Sequence, residues 1–103
     1  MRVLLQVDFA FPPVALSGDA PPPALLELAE SINREPGFLW KIWTVSEQDG
    51  RSGGVYLFEN REYAEQYLAM HSLRLSQRGA SDIRSFIFDI NLPLSQINHA
   101  PGV

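Results

Sequence analysis

The sequence predicts an α+β domain in which two helices pack on one face of a four-stranded antiparallel sheet. Four short runs show the apolar alternation of strands. Two longer segments among them carry apolar residues at helical spacing. Their order is β-α-β-β-α-β, which is the ferredoxin-like arrangement. The expected fold class is therefore ferredoxin-like α+β, with one sheet face left uncovered by helices.

Composition limits the partners and cofactors that the chain can use. Its 103 residues suit a single domain spanning 1–103. The net charge is −4 and no basic cluster is present, so we expect neither nucleic acid nor an anionic membrane as a partner. The sequence has no cysteine, which excludes disulfides and thiol catalysis. Without a signal-peptide pattern or a long apolar run, we expect a cytoplasmic protein.

The first strand and the first helix are separated by a proline-rich loop. The strand presents an apolar face of Val3, Leu5, Val7 and Phe9. Prolines between Pro12 and Pro23 exclude regular structure there, and Asp19 is expected to cap the helix. The helix presents an apolar stripe of Leu25, Leu28, Ala29 and Ile32.

A Pro-Gly turn precedes the strand that carries both tryptophans. Pro36 fixes φ at the first central position of a turn, and Gly37 supplies the positive φ that a type II turn needs next. Alternation predicts one strand face of Phe38, Trp40, Ile42 and Thr44, and another of Leu39, Lys41, Trp43 and Val45. Because both faces carry large apolar side chains, we expect both to be covered.

Turn and capping signals define the remaining elements. The polar segment 46–52 predicts a hairpin loop before a strand over 54–58. Asn60 is expected to cap the second helix, and Gly79 to follow its end. A fourth strand is predicted over 83–90. The tail over 91–103 is apolar enough to dock on another surface, with one helical turn expected within 91–98.

The sheet face without helices is the expected interface. Its candidate residues are Leu4, Gln6, Lys41, Trp43 and either Tyr56 or Val55. A contiguous apolar area of this kind is unusual on a monomer. We therefore expect a homodimer formed through the sheet faces, with the 91–103 tail docking on the dimer.

Chemical signatures are sparse, and His71 stands out among them. No phosphate loop, metal motif or nucleophile elbow occurs, so neither a metal nor a cofactor is expected. His71 is the one titratable group on a helical face of Ala64, Tyr67, Leu68 and Leu75. It is either a half-buried histidine bonded to the backbone or the proton-handling group of a pocket. The pocket interpretation predicts an aromatic strand residue, Trp40, directly beneath it, with a cavity able to hold a single ring between the two.

Several stretches together carry a family resemblance. The longest covers Ala29 to Thr44, and the tail contributes Pro93 to Asn98. Shorter matches cover 4–6, 9–11, 56–58, 71, 74–75 and 88–89. The chain thereby resembles the YdhR-type monooxygenase family of the dimeric α/β-barrel superfamily. The proline-rich loop is longer than the family pattern, and Asp8 stands where the resemblance leads us to expect histidine.

The resemblance implies a ferredoxin-like protomer whose open sheet face packs against that of its twin, forming a barrel across a dimer. It also implies a monooxygenase that acts on aromatic compounds, by similarity to antibiotic-biosynthesis monooxygenases that use neither metal nor flavin. Haem-degrading members of the superfamily use an asparagine, a tryptophan and a histidine where this chain has Gln6, Phe58 and His71. Two of the three differ, so haem is not expected.

We therefore expect a cofactor-independent monooxygenase that oxidises a small phenol or hydroquinone. The expected catalytic residues are His71, Trp40 and Tyr67, with His71 handling the proton. The expected substrate-binding residues are Phe9, Phe86, Tyr56 and Trp43. Two alternatives are a non-catalytic dimer that binds a small aromatic metabolite and a dimer without a ligand. The pocket is expected either within one protomer or inside the dimer barrel.

Overall fold

The computed structural model describes residues 1–11 and 21–103. Its elements are β1 (Val3–Ala10), α1 (Pro23–Asn33), β2 (Phe38–Ser46), β3 (Arg51–Phe58), α2 (Arg61–Gln77), β4 (Ser81–Asp89) and α3 (Leu92–Ile97). The strands form one antiparallel sheet in the order β2-β3-β1-β4. This order confirms the predicted ferredoxin-like fold class, to which α3 adds a short C-terminal helix.

Local signals explain most of the element boundaries. The side chain of Asn60 accepts a hydrogen bond from the Tyr63 amide at 2.9 Å, which confirms the predicted cap of α2. Gly79 follows that helix with a φ of 93°, and Gly37 has a φ of 76° in the Pro-Gly turn. The β2–β3 loop is shorter than predicted, because β3 begins at Arg51. Asp19, the expected cap of α1, lies outside the described residues.

The core lies between the sheet and the two long helices. We call this side of the sheet the helix face. β1 contributes Val3, Leu5 and Val7 to the core, all at most 2% exposed. The core also contains Tyr56, Phe58, Leu28, Ile32, Ala64, Tyr67 and Leu75. Among the described helices, none has the length and apolar character needed to cross a membrane.

A β-bulge in β2 changes which residues share a face. Phe38 pairs with Phe58, but Trp40 pairs with Leu57, so Leu39 is an extra residue on the β2 side. The bulge places Trp40 on the other side of the sheet from Phe38. The predicted grouping of these two residues on one face is therefore wrong, because strict alternation does not allow for the inserted residue.

The bulge also corrects the predicted composition of the open face, the sheet side away from α1 and α2. Lys41 pairs with Tyr56 and Trp43 pairs with Gly54, which puts Lys41, Trp43 and Tyr56 on the helix face. The prediction that Lys41 and Trp43 lie on the open face is wrong, and of the two alternatives on β3 it is Val55, not Tyr56, that lies there. Two of the remaining candidates, Gln6 and Val55, face each other across the open face as expected.

Part of the open face is covered by the end of the same chain. The Trp40 indole Nε1 donates to the Pro101 carbonyl at 3.3 Å, and the Arg2 guanidinium donates to the Gly102 carbonyl. Leu57, which lies beneath this segment, is fully buried. Elsewhere the open face exposes Ile42, Phe86 and Phe88, and α3 exposes Leu92, Leu94 and Ile97. The tail thus packs on its own sheet and leaves an apolar area beside it.

Candidate functional site

A network of hydrogen-bonded side chains lies on the helix face between β3 and α2. The Tyr67 hydroxyl donates to the Tyr56 hydroxyl oxygen at 3.1 Å. The His71 Nε2 atom lies 3.5 Å from the same oxygen. The rings of Tyr67 and His71 are stacked, with centroids 4.9 Å apart. Tyr56 is therefore the meeting point of two polar groups carried one helical turn apart on α2.

Arg74 determines which nitrogen of His71 carries the proton. Two guanidinium nitrogens of Arg74 lie 3.3 and 3.1 Å from His71 Nδ1. A guanidinium can only donate, so Nδ1 of a neutral imidazole must accept and the proton must sit on Nε2. The Nε2–H group then points at the Tyr56 hydroxyl oxygen. A further contact at 3.4 Å joins Arg74 to the Ser31 hydroxyl of α1, so the arginine also links the network to the second helix.

Burial keeps this network neutral. Desolvation lowers the pKa of His71 to about 3, with added repulsion from Lys41 and Arg74. Desolvation also raises the pKa of Tyr67 to about 12 and raises that of Tyr56 well above its ordinary range. At neutral pH, therefore, His71 is an uncharged donor through Nε2 and both phenols keep their protons.

Lys41 lies beside this network, although the sequence pattern placed it at the expected interface and not among the site residues. It is the only lysine in the chain. Its Nζ atom lies 3.3 Å from the Trp43 ring centroid and 4.7 Å from that of Tyr56. A Cβ added at Gly54 would come within 2.5 Å of the Lys41 Cε atom, so the glycine makes room for the lysine stem. The signal that could have identified Lys41 is a single lysine between two tryptophans.

Burial lowers the pKa of Lys41 to about 7, and the neighbouring Arg74 cation adds to that shift. The two ring faces act in the opposite direction, because aromatic faces attract a cation. No carboxylate within residues 1–11 and 21–103 forms an ion pair with this amine. Lys41 thus combines a titration near neutral pH with a position against aromatic rings.

The structure divides the predicted site residues between the two faces. His71, at 2% exposure, points toward the sheet as the helical wheel predicted. The helix face carries His71, Tyr67, Tyr56, Trp43 and Phe9. Trp40 lies on the open face, so the prediction that it lies beneath His71 is wrong, and the bulge at Leu39 is the reason. Phe86 also lies on the open face, paired with Gln6.

A cavity of about 260 Å³ lies on the open side of the sheet, away from His71. It is lined by Gln6, Val7, Asp8, Thr44, Val45, Ser46, Asp49, Arg51, Ser52, Val55 and Arg84. Asp8 accepts hydrogen bonds from Arg51 and from Arg84, and Arg51 also binds Asp82. Burial opposes ionisation of Asp8, but the hydrogen bonds from both arginines outweigh it and lower the pKa of this carboxyl. The cavity therefore has a charged lining in which Asp8, Arg51 and Arg84 are paired, while Asp49 accepts a hydrogen bond from the Ser46 hydroxyl.

Metal ligands are not clustered in the described part of the chain. Within residues 1–11 and 21–103, no group of three or more His, Asp or Glu side chains is arranged to hold a metal ion. The polar groups of the helix-face site are the Lys41 amine, the Arg74 guanidinium, the phenols of Tyr56 and Tyr67, and the His71 imidazole.

Comparison with protein families identifies the chain. The family described as "Putative mono-oxygenase ydhR" matches residues 4–101, almost the full length. The chain belongs to this family. No curated protein matches it. Among solved structures, the ydhR-family chain is similar to a mutant of SnoaB, described as a cofactor-independent oxygenase from Streptomyces nogalater.

The similarity to SnoaB concerns the fold. The two chains are 15% identical, with a TM-score of 0.56, and the match covers 87% of this chain and 93% of SnoaB. The shared ferredoxin-like architecture agrees with the strand order found here. The ydhR match thus supplies the family assignment, and the neighbour supplies an independent check of the fold.

Proposed function

We propose that this ydhR-family protein is a cofactor-independent monooxygenase that oxidises small phenolic compounds on the helix face. The observation that carries the proposal is the neutral network of Tyr56, Tyr67 and His71 beside the amine of Lys41. The network itself is buried, but Trp43 beside it is 47% exposed and offers an aromatic surface against which a phenolic ring could pack. The ydhR family and SnoaB are both described as oxygenases, which supports the same reaction class.

A hydroquinone illustrates the proposed reaction. Loss of a phenolic proton gives an electron-rich anion, which passes one electron to dioxygen. Recombination of the resulting radical with superoxide forms a carbon–oxygen bond, and loss of water leaves a hydroxyquinone. One oxygen atom of dioxygen enters the product and the other becomes water, so each hydroquinone consumes one dioxygen and gives one hydroxyquinone and one water. The protein's task is to orient the ring, accept the proton and exclude bulk water.

The residues of the helix face have distinct roles in this proposal. His71 and Tyr67 act as hydrogen-bond donors that hold Tyr56, whose ring centroid lies 4.7 Å from the Lys41 amine, and so they position the polar end of the proposed site. Phe9 and Trp43 supply apolar surface for the substrate ring. His71 is assigned an orienting role because Arg74 occupies its Nδ1 atom and burial keeps its pKa low.

The two predicted site residues on the open face are not part of this proposed site. Trp40 contacts the tail, and Phe86 stacks on Phe88 at a centroid distance of 5.8 Å. They would contribute only to a cavity inside a dimer. A comparison of variants on the two faces therefore distinguishes a pocket within one protomer from a pocket between protomers.

Oxygen consumption tests the proposal. Purified protein, freed of metals by chelation and without added flavin, is supplied with a panel of hydroquinones in an oxygen electrode. We expect uptake above the autoxidation blank, with the hydroxyquinone detected by mass spectrometry. Tyr67→Phe should lower the rate about tenfold or more, since it removes a positioned donor. The matched open-face change Phe86→Leu should leave the rate within about twofold.

The outcomes separate the alternatives. Phenol binding without oxygen uptake would overturn the oxygenase proposal and favour a non-catalytic binding protein. A lack of both would favour a dimer without a ligand. An equal loss of the oxygen-uptake rate in Tyr67→Phe and Phe86→Leu would favour a pocket inside a dimer over one within a single protomer.

We also propose that the protein is a homodimer formed through the open face. The support is the exposed apolar side chains of Ile42, Phe86 and Phe88, with Leu94 and Ile97 of α3 beside them. Interfaces of stable homodimers have apolar cores and typically bury about 2,000 Å² or more. The tail covers one end of the open face in its own protomer, and its exposed α3 side chains would dock on the partner.

A further inference from the structure

We infer that Lys41 is the proton acceptor for the phenolic hydroxyl of the substrate. This inference rests on the proposed function and deepens it by naming the base. Lys41 lies between the exposed aromatic ring of Trp43 and the ring of Tyr56, whose hydroxyl belongs to the hydrogen-bonded network. It is the one amine side chain in the protein, so its role has no substitute elsewhere in the sequence.

The geometry holds the amine in place. Its stem crosses Gly54, where any side chain would collide with it. Its Nζ atom lies between two ring faces, at 3.3 Å from the Trp43 centroid and 4.7 Å from the Tyr56 centroid. Trp43 remains 47% exposed, so a substrate ring has an aromatic surface to approach next to the amine. A lysine side chain that pointed into solvent would have no such neighbours.

The charges around Lys41 favour its neutral form before substrate binds. α2 presents the Arg74 cation and the neutral His71 and Tyr67, and β3 presents Tyr56. Burial and the Arg74 cation lower the pKa of Lys41 to about 7, so a large fraction of the amine is free to accept a proton near neutral pH. A substrate phenolate then supplies the anion that the described surroundings of Lys41 lack.

The proposed step is a proton transfer that conserves all electrons. The O–H bond of the phenol breaks, its electron pair stays on the oxygen, and an N–H bond forms on Nζ. The products are a phenolate and the Lys41 ammonium, held as an ion pair beside the rings of Trp43 and Tyr56. Dioxygen is the oxidant in the following step and receives an electron from the phenolate. His71 is unsuited to this task, because Nδ1, the ring nitrogen that carries the lone pair, already accepts a hydrogen bond from Arg74.

A phenol whose anion absorbs visible light tests the inference without oxygen chemistry. 4-Nitrophenol is titrated with pH in the presence of excess protein, and ionisation of the bound probe is read by absorbance. We expect the wild-type protein to lower the apparent pKa of the bound probe by about one unit or more. Lys41→Met should abolish the shift, while Lys41→Arg, which keeps a positive charge, should retain most of it. Failure of the wild-type protein to bind or ionise the probe counts against the inference.

Turnover separates charge from proton acceptance. With a hydroquinone that the wild-type protein oxidises, both Lys41→Met and Lys41→Arg should lower the rate by about 100-fold to 10,000-fold, because a guanidinium cannot accept the proton. The wild-type rate should rise with pH through about 7, and the variants should lose that limb. Added ethylamine should partly restore Lys41→Ala, because the truncated side chain leaves room for an amine. Gly54→Ala, which displaces the lysine stem, should lower the rate while leaving the amine present.

The two proposals fail in different ways. A probe shift that depends on Lys41, without oxygen uptake by the wild-type protein, would overturn the oxygenase and leave only the ion pair between Lys41 and a bound phenolate standing. Oxygen uptake unchanged in Lys41→Met or in Lys41→Arg would overturn the role of Lys41 and leave the oxygenase standing. Lys41→Met should be at least as stable as the wild-type protein, because it removes a desolvated amine, and a thermal melt checks that the variant is folded.

Discussion

The two faces of the sheet differ in how their polar side chains are stabilised. On the helix face, Tyr56, Tyr67 and His71 are buried and uncharged, and they satisfy one another through hydrogen bonds. On the open face, Asp8 and Arg51 are charged and paired within reach of water. The difference follows from depth, because a buried charge costs far more than a buried hydrogen-bonded neutral group.

This contrast explains why the helix face suits proton chemistry better. Neutral groups in a dry environment respond strongly when a charge appears among them, because little solvent is present to screen it. The ions around Asp8 already compensate one another and would gain little from a new charge. Lys41 and Arg74 are the cations beside this neutral network, and Lys41 differs from Arg74 in that its amine has only aromatic rings as described partners. The sheet thus keeps the proposed proton acceptor on one side and the proposed interface on the other.

The largest expected effect tests the proposed interface on the open face. Ile42→Asp places a charge in the middle of the proposed contact, so we expect dissociation to monomers or aggregation. Trp43 follows Ile42 in β2 but lies on the helix face. Trp43→Asp should therefore leave the association state unchanged. Light scattering at micromolar concentration measures both. A monomeric wild-type protein would contradict the dimer, and dissociation by Trp43→Asp alone would contradict the assignment of faces.

The next effect is a pH dependence of stability that belongs to the helix face. The pKa of His71 is about 3 in the folded protein and about 6.5 in the unfolded chain, so the unfolded state binds more protons between these values. Stability should therefore fall as pH decreases below 6.5, with a slope of up to about 1.4 kcal/mol per pH unit. Urea unfolding between about pH 6.5 and 4.5 measures this before the carboxylates titrate.

The two histidines of the chain provide the control for this prediction. His71→Gln, which keeps a polar group at the site, should remove most of the slope. His99→Gln, in the exposed tail, should retain it. An unchanged slope in His71→Gln would show that another group causes the acid sensitivity, and the neutral state assigned to the network would lose its support.

Sequence alone predicts the parts of this molecule that depend on local signals. Asn60 and Gly79 mark the ends of α2 because a cap and a positive φ each need particular residue types. The helical wheel likewise turns His71 toward the sheet. A bulge has no such local requirement here, so the insertion at Leu39 was missed and Trp40 was placed on the wrong face. Lys41 was overlooked for the same reason, since its burial depends on that insertion.

The contact between Arg74 and His71 could have been predicted from the sequence. Residues three apart on a helix are neighbours, so an arginine at this spacing can reach the imidazole. What the sequence does not reveal is that Tyr56 of β3 meets the same histidine, because the pairing of strands and helices sets that distance. The candidate site is thus a product of tertiary packing, even though each residue in it was visible in the sequence.

The smallest expected effect compares single hydrogen-bond deletions on the two faces. Tyr67→Phe removes one donor to Tyr56 while the Nε2–H of His71 remains, so we expect a loss of about 1 kcal/mol in the free energy of unfolding. Tyr56→Phe removes the acceptor of both donors and should cost about 1–3 kcal/mol. Neither loss should depend on salt, because the groups are neutral.

Asp8→Asn, on the open face, should give a loss in the free energy of unfolding that shrinks as sodium chloride is raised, because exposed ion pairs are screened. Urea unfolding of the three variants at low and high salt measures the difference. Equal costs for Tyr67→Phe and Tyr56→Phe would mean that His71 does not donate to Tyr56, and the tautomer deduced from Arg74 would then be wrong.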